Sequence, residues 1–415
     1  MNNTIKLAVA SALLAAASSA NAGIMIPAGD WTLDIGGVVN AYYSYNKGES
    51  AANSAVGTNT AGALTFGENS AGEDTQTTIT TGLLPNYLSV SGKTRQNDLD
   101  VGFTISIQPG AATTTSLNSA GQENRQAFLT FGDASWGTIK LGRDLGIFAS
   151  SAILSDMTLL GVGGAGANKA GTTTLGGIGF GYLYADWKAQ VSYASPNWNG
   201  FSFAVGVMQP WQVSNFLSGT NTVNNVSTST PGFEGQATYE WAGDVSGKVW
   251  AGAIYQKAED LTGPVGLVTT NFGDETARGF DIGATVNVAG FGLTGYYYDG
   301  KGLGTTGFLS NAFDAAGNRR DSNGGYVQAT YTIPGAGTKL GLAYGISSLD
   351  QTRTDKLAGV NLVEDNERYT VGAYHPLTKH LNLVAEYNRT SSSSHKAGVK
   401  DADNDNVSLG AILFF

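Results

Sequence analysis

The sequence contains no cysteine. That excludes a disulfide-stapled scaffold, thiolate metal centres and a cysteine nucleophile, so backbone pairing and packing must hold the fold together. Charge is also scarce: 13% of the 415 residues are Asp, Glu, Lys or Arg, about half the share of ordinary soluble domains. Past the N-terminus no apolar run reaches the ~20 residues that a membrane-spanning helix requires. The three histidines, His375, His380 and His395, fall at turns or loops and give no support to a zinc site.

Catalytic patterns are missing as well. Neither a phosphate-cradling GxxxxGK[ST] nor a GxSxG elbow occurs. The Gly-rich stretch GVGGAG lacks the strand–helix alternation of a dinucleotide loop. Glu234 and Glu240 lie on one extended strand, about 20 Å apart at about 3.3 Å per residue, too far for a glycosidase pair. The DADNDN run at 401–406 reads as a solvated acidic loop or a weak Ca²⁺ chelator. The expectation is a protein that is not an enzyme, with no catalytic residue, no metal site and no cofactor.

Glycine, with 58 residues, and the aromatics, with 18 Tyr and 17 Phe, are what the chain has in abundance. At the N-terminus Lys6 precedes an apolar stretch, Leu7 to Ala17, and SSANA follows with the small residues Ala20 and Ala22. That order predicts a secretory signal peptide over 1–22, leaving one domain over 23–415. Lys6 is the only charge in 1–22, so the remainder holds 22 basic and 33 acidic residues, a net charge of −11. An acidic exported chain is a poor nucleic-acid binder, because phosphate contacts need clustered Lys and Arg.

From Gly23 onward the hydrophobic period is 2. In TLDIGGVVNAYYSYN, Leu33, Ile35, Val39, Ala41, Tyr43 and Tyr45 share one face, and Asp34, Gly36, Asn40, Tyr42 and Ser44 the other. DLDVGFTISIQ and GFEGQATYEW alternate in the same way, as strands with one apolar and one polar face do. Sixteen such segments run from 31–46 to 406–415, including 137–144, 180–195, 246–257 and 278–288. Seven short turns alternate with eight long Gly/Ser/Thr/Asn-rich loops, among them 145–179 and 258–277. A closed barrel of sixteen strands is too wide for wall side chains to fill. The polar face must then point inward to water and the apolar face outward to lipid. This predicts an all-β, 16-stranded antiparallel up-and-down transmembrane barrel in an outer membrane. The chain ends NVSLGAILFF, and its outward set puts Phe415 at a membrane interface, with Trp31 and Tyr43 in the same aromatic belt.

RQAFLTFGDASWGTIKLGRDLGIF (125–148) resembles the fourth and fifth strands of Gram-negative general-diffusion porins, where a GFGxxxxGR ending leads into the constriction loop. LDIGGVVNAYYSYNKG (33–48) resembles their first strand, LSVSGKTRQNDLDVGF (88–103) their second hairpin, and the terminal Phe the signal read by the barrel-assembly machinery. The resemblance implies a homotrimeric channel for ions and small hydrophilic solutes in contact with outer-membrane lipids. It also implies a third external loop, about 144–179, folded inward so that basic wall residues face acidic loop residues. Carried over, Arg143 matches the wall arginine. Parity adds Lys140 and Lys188 on the lumen side, and Asp144 and Asp156 become the acidic partners. Lys93 and Arg95 are secondary lumen candidates, equally suited to headgroups or solvent beside the turn at 96–98. The PEFGG motif of that loop is replaced by SDMTLLGVGG, and the arginine cluster is thinner than in many members. A substrate-selective channel of the same architecture, and a barrel adhesin or enzyme, remain alternatives.

Overall fold

The computed structural model describes residues 23–48, 60–65, 73–113, 116, 120–164, 172–213, 223–265 and 268–415. The expected signal peptide, 1–22, lies outside the described residues. Sixteen long strands form one antiparallel ring. The first eight are β1 (Trp31–Gly48), β2 (Tyr87–Gln96), β3 (Leu99–Pro109), β4 (Gln122–Asp133), β5 (Gly137–Leu145), β6 (Trp187–Ala194), β7 (Phe201–Met208) and β8 (Gly232–Trp241). The other eight are β9 (Val245–Val265), β10 (Val268–Val288), β11 (Phe291–Lys301), β12 (Asp321–Thr332), β13 (Lys339–Leu349), β14 (Val363–Pro376), β15 (Leu381–Ser394) and β16 (Ala402–Phe414). Each pairs with the next, and β16 pairs with β1 to close the ring.

The turns follow from local chemistry. Between β2 and β3 the chain reverses over Asn97 and Asp98, at φ 48° and 63°, the left-handed pair that suits the strand twist of a two-residue hairpin. At the seam, Gly37 donates its N–H to the Phe415 carbonyl at 2.8 Å and accepts from the Phe415 N–H at 3.1 Å. A Cβ on Gly37 would lie 2.7 Å from the Phe415 ring and 2.3 Å from the Tyr87 carbonyl oxygen, so only glycine fits. A short strand, Ile24–Ala28, pairs with β1 from Trp31 to Ile35 and so continues the line of β16 past its end.

Two further short strands complete the wall. Thr75–Thr80 pairs with β1 alongside β2, and Asn224–Ser227 pairs with Glu259 to Thr262 of β9. Between Thr80 and Tyr87 the second strand is broken, and Leu83 and Leu84 leave the wall to become buried.

The expected alternation holds. Val39, Tyr43, Ile105, Leu129, Val191, Ile282, Val327, Leu342, Val371 and Leu409 are exposed apolar residues, while their neighbours Asn40, Ser44, Thr104, Gln190, Thr370 and Ser408 are buried. Three expectations need correction. Residues 180–186 precede β6 instead of belonging to it. The stretch 258–277 is mostly not a loop: β9 and β10 run on as a ribbon whose two sides have similar polarity, so period-2 contrast fades there. The interior is also not simply water beside polar wall residues. Inward-facing Tyr42, Trp250, Tyr296, Tyr298, Tyr326 and Tyr374 share one buried cluster with Leu83, Phe148, Met157 and Leu183. A ring this wide cannot be filled from its wall alone, and here the chain's own connecting segments supply the remaining contacts.

Candidate functional site

The segment after β5 contains a one-turn helix, α1 (Ser150–Ser155), followed by a 3₁₀ turn at Met157–Leu160. The segment carries an apolar stripe at near-helical spacing, with Ile147, Phe148, Ile153 and Met157 buried and Leu154 and Leu160 packed partly against them. Of the range 144–179, residues 165–171 lie outside the described residues.

Backbone amides of this segment need acceptors, and the wall provides them in order around the ring. Ile147 and Phe148 donate to Glu234 Oε2 on β8 at 2.7 and 3.0 Å. Ala149 donates to Asp281 Oδ2 on β10 at 3.1 Å, and Met157 to Gln328 Oε1 on β12 at 2.9 Å. Val162 and Gly163 donate to Glu386 Oε2 on β15 at 2.9 and 2.8 Å. Leu83, in the break before β2, then donates to the Gly161 carbonyl at 2.8 Å. Carboxylates make the strongest acceptors for such amides, and all three carboxylates are buried.

The sequence-derived residues are distributed differently from the expected facing rows. Lys140 and Asp144 are both inward and buried, but they pair with each other along β5, and Asp144 also accepts from Gln126 at 3.0 Å. Lys188 pairs with Glu234 and lies 5.2 Å from the Trp211 ring and 5.1 Å from the Phe308 ring. Asp156 is buried. It accepts from Gly177 N at 2.9 Å and the Tyr182 hydroxyl at 2.8 Å, and its cationic partner is Arg368 of β14 at 3.5 Å.

Arg143 is exposed. Its cross-strand partners are Ala127 and Ala189, and it borders the cavity that Ile153, Leu154 and Leu159 of this segment also line. Lys93 is exposed near the short turn. Arg95, also exposed, bonds Asp100 at 2.9 Å and Asp133 at 3.0 Å, at the short-turn rim and away from the buried pairs. Phe415 is 36% and Tyr43 49% exposed on the outward face, while Trp31 packs on Phe103 with ring centroids 5.7 Å apart.

Sequence reasoning missed Asp281, Gln328, Arg368 and Glu386, and gave Glu234 no partner. Each alternates with outward neighbours such as Phe280, Val327, Tyr369 and Tyr387, so parity could have placed them inward. Among the described residues no group of three or more His, Cys, Asp or Glu is gathered to hold a metal ion. The acidic run at 401–406 falls largely within β16, where Asp403 and Asp405 pair with Arg389.

A closed ring with an exposed apolar exterior defines a transmembrane β-barrel. A family profile described as Gram-negative porin matches residues 8–395, and the chain belongs to that family, whose members are outer-membrane barrels. The outer membrane channel DcaP of Acinetobacter baumannii is similar in fold, at 19% identity and a TM-score of 0.68, over 95% of this chain and 100% of that one. OmpF of Salmonella typhi, solved in complex with daunomycin, is similar at 17% identity and a TM-score of 0.58, over 94% and 100%. OmpT of Vibrio cholerae follows at 15% identity and a TM-score of 0.57, over 94% and 100%. No curated protein matches the sequence.

Proposed function

We propose that this chain is a passive outer-membrane channel, not an enzyme, through which ions and small solutes diffuse. The observation that carries the reading is the run of bonds from backbone amides between Ile147 and Gly163 to wall side-chain oxygens, three carboxylates and the Gln328 carboxamide, which step round the wall from β8 to β15. A segment bonded to that many strands lies across the barrel, and we assign it as the constriction. Lys140, Lys188, Asp144 and Asp156 contribute to the constriction as pairs with their own counter-charges, joined by Glu234 and Arg368. Each of these pairs is neutral in itself, so they do not form opposed rows of charge, which favours the substrate-selective form of the channel over one governed by a transverse field.

The same reading includes a homotrimer, a form in which OmpT of Vibrio cholerae has been solved. It further includes export by residues 1–22, barrel assembly through Phe415, and an aromatic belt containing Trp31, Tyr43 and Phe415 that meets outer-membrane lipid headgroups. Planar-bilayer recording tests the channel. Purified protein is expected to give steady conductance steps in KCl that group in threes. Protein that inserts but leaves the membrane sealed overturns the reading.

A further inference from the structure

We infer that the cavity beside the constriction binds a compact, largely apolar solute, an aromatic ring carrying one or two polar substituents. The inference rests on the channel reading and names its solute class. The cavity has a volume of about 420 Å³ and lies between the segment following β5 and the loop-side ends of β4, β5 and β6. Its apolar lining includes Leu83, Ile153, Leu154, Leu159, Ile178 and Trp187.

Size and chemistry both select the ligand. Well-packed interiors leave few voids larger than a water, and an apolar cavity of roughly 150 Å³ already takes up benzene. The space here therefore accommodates a substituted ring, within the ordinary range of ligand pockets. Four charged residues border it, two of each sign: Glu123, Arg125, Arg143 and Asp186. Arg125 is committed to Glu123 at 2.8 Å and stands 5.8 Å from the Trp187 ring centroid. Asp186 accepts the Trp187 backbone N–H at 2.6 Å. Arg143 is exposed at the margin. A bare ion meets no net charge and mostly apolar walls, whereas a ring loses its contact with water. The Tyr184 hydroxyl accepts from Trp187 Nε1 at 2.8 Å, which leaves its own proton to donate to a polar substituent.

The test uses benzyl alcohol as the probe and glycerol as the polar control, on the detergent-folded full-length protein. Binding is read by tryptophan fluorescence and equilibrium dialysis, and KCl conductance is recorded separately. Benzyl alcohol is expected to bind saturably and glycerol not at all, with affinity falling at least tenfold in Leu154→Trp, which fills the cavity. Should that variant fail to fold, Leu154→Gln changes the wall at nearly constant volume and is expected to weaken binding in the same direction. Non-saturable uptake, or equal binding by wild type and folded variants, overturns the inference and leaves the channel standing if KCl is conducted. Saturable, variant-sensitive binding without conductance upholds the site and removes the channel reading.

Discussion

The two faces of each strand obey different rules although they alternate residue by residue. Outward, Val327, Leu342, Val371 and Leu409 are more than half exposed and touch few other groups of the chain. What the lipid side requires of them is apolarity, and shape matters little. Inward, Glu386 accepts two backbone amides and the Tyr374 hydroxyl at 2.7 Å, and Asp156 accepts from Gly177, Thr158, Tyr182 and Arg368. These two carboxylates are fixed by particular partners, because a buried acceptor left unpaired is costly. One face is specified by composition and the other by pairing.

Substitutions can break that contrast. Glu386→Leu strands three buried donors and is expected to destabilise by about 4 kcal/mol, with noisier single-channel currents as Val162 and Gly163 lose their anchor; urea unfolding in lipid vesicles measures the first and bilayer recording the second. If stability were unaltered, the inward face would be as permissive as the outward one. Leu409→Arg places a charge on the lipid side and should cost about 3 kcal/mol in the same assay. Val371→Leu, on the same face, keeps apolarity and changes shape, and is expected to cost less than about 0.5 kcal/mol.

A second contrast lies outside the membrane. Helix α2 (Arg353–Ala358) starts at a Thr352 capping box and is held by Asp355, which receives two hydrogen bonds from Arg320 at 2.7 and 2.8 Å. Burial pushes the Asp355 carboxyl up, but the hydrogen bonds and charge of Arg320 outweigh it and hold the group below its ordinary value. A depressed carboxylate stabilises above the unfolded-chain value of about 3.9 and loses that effect as pH falls through the lower folded value. Hydrogen exchange at residues 353–358 should accelerate below about pH 4, and Asp355→Asn should flatten the profile. Smallest of all, Arg95→Ala removes a solvent-exposed pairing at the short-turn rim and should leave the unfolding midpoint unchanged.

The wall was legible in the sequence because its physics is local. Alternation between lipid and interior is written into every pair of neighbours, so Asn40 against Val39 or Ser408 against Leu409 can be assigned without knowing the rest of the chain. The interior was less legible because its partners are remote. Ala149 meets Asp281, and Val162 meets Glu386, from opposite parts of the sequence, and no spacing rule links them. The ribbon at 258–277 was missed for another reason. Beyond Tyr255, β9 no longer pairs with β8, and the contrast between lipid and interior no longer marks its two sides.

The seam between Gly37 and Phe415 has a consequence for assembly. Since the first and last of the sixteen strands are neighbours, every partial chain emerging in order has two raw borders, each a row of unspent amides and carbonyls. Water can satisfy them; hydrocarbon cannot. Unless a partner covers those borders, insertion is favourable only once the final strand arrives and closes the circle.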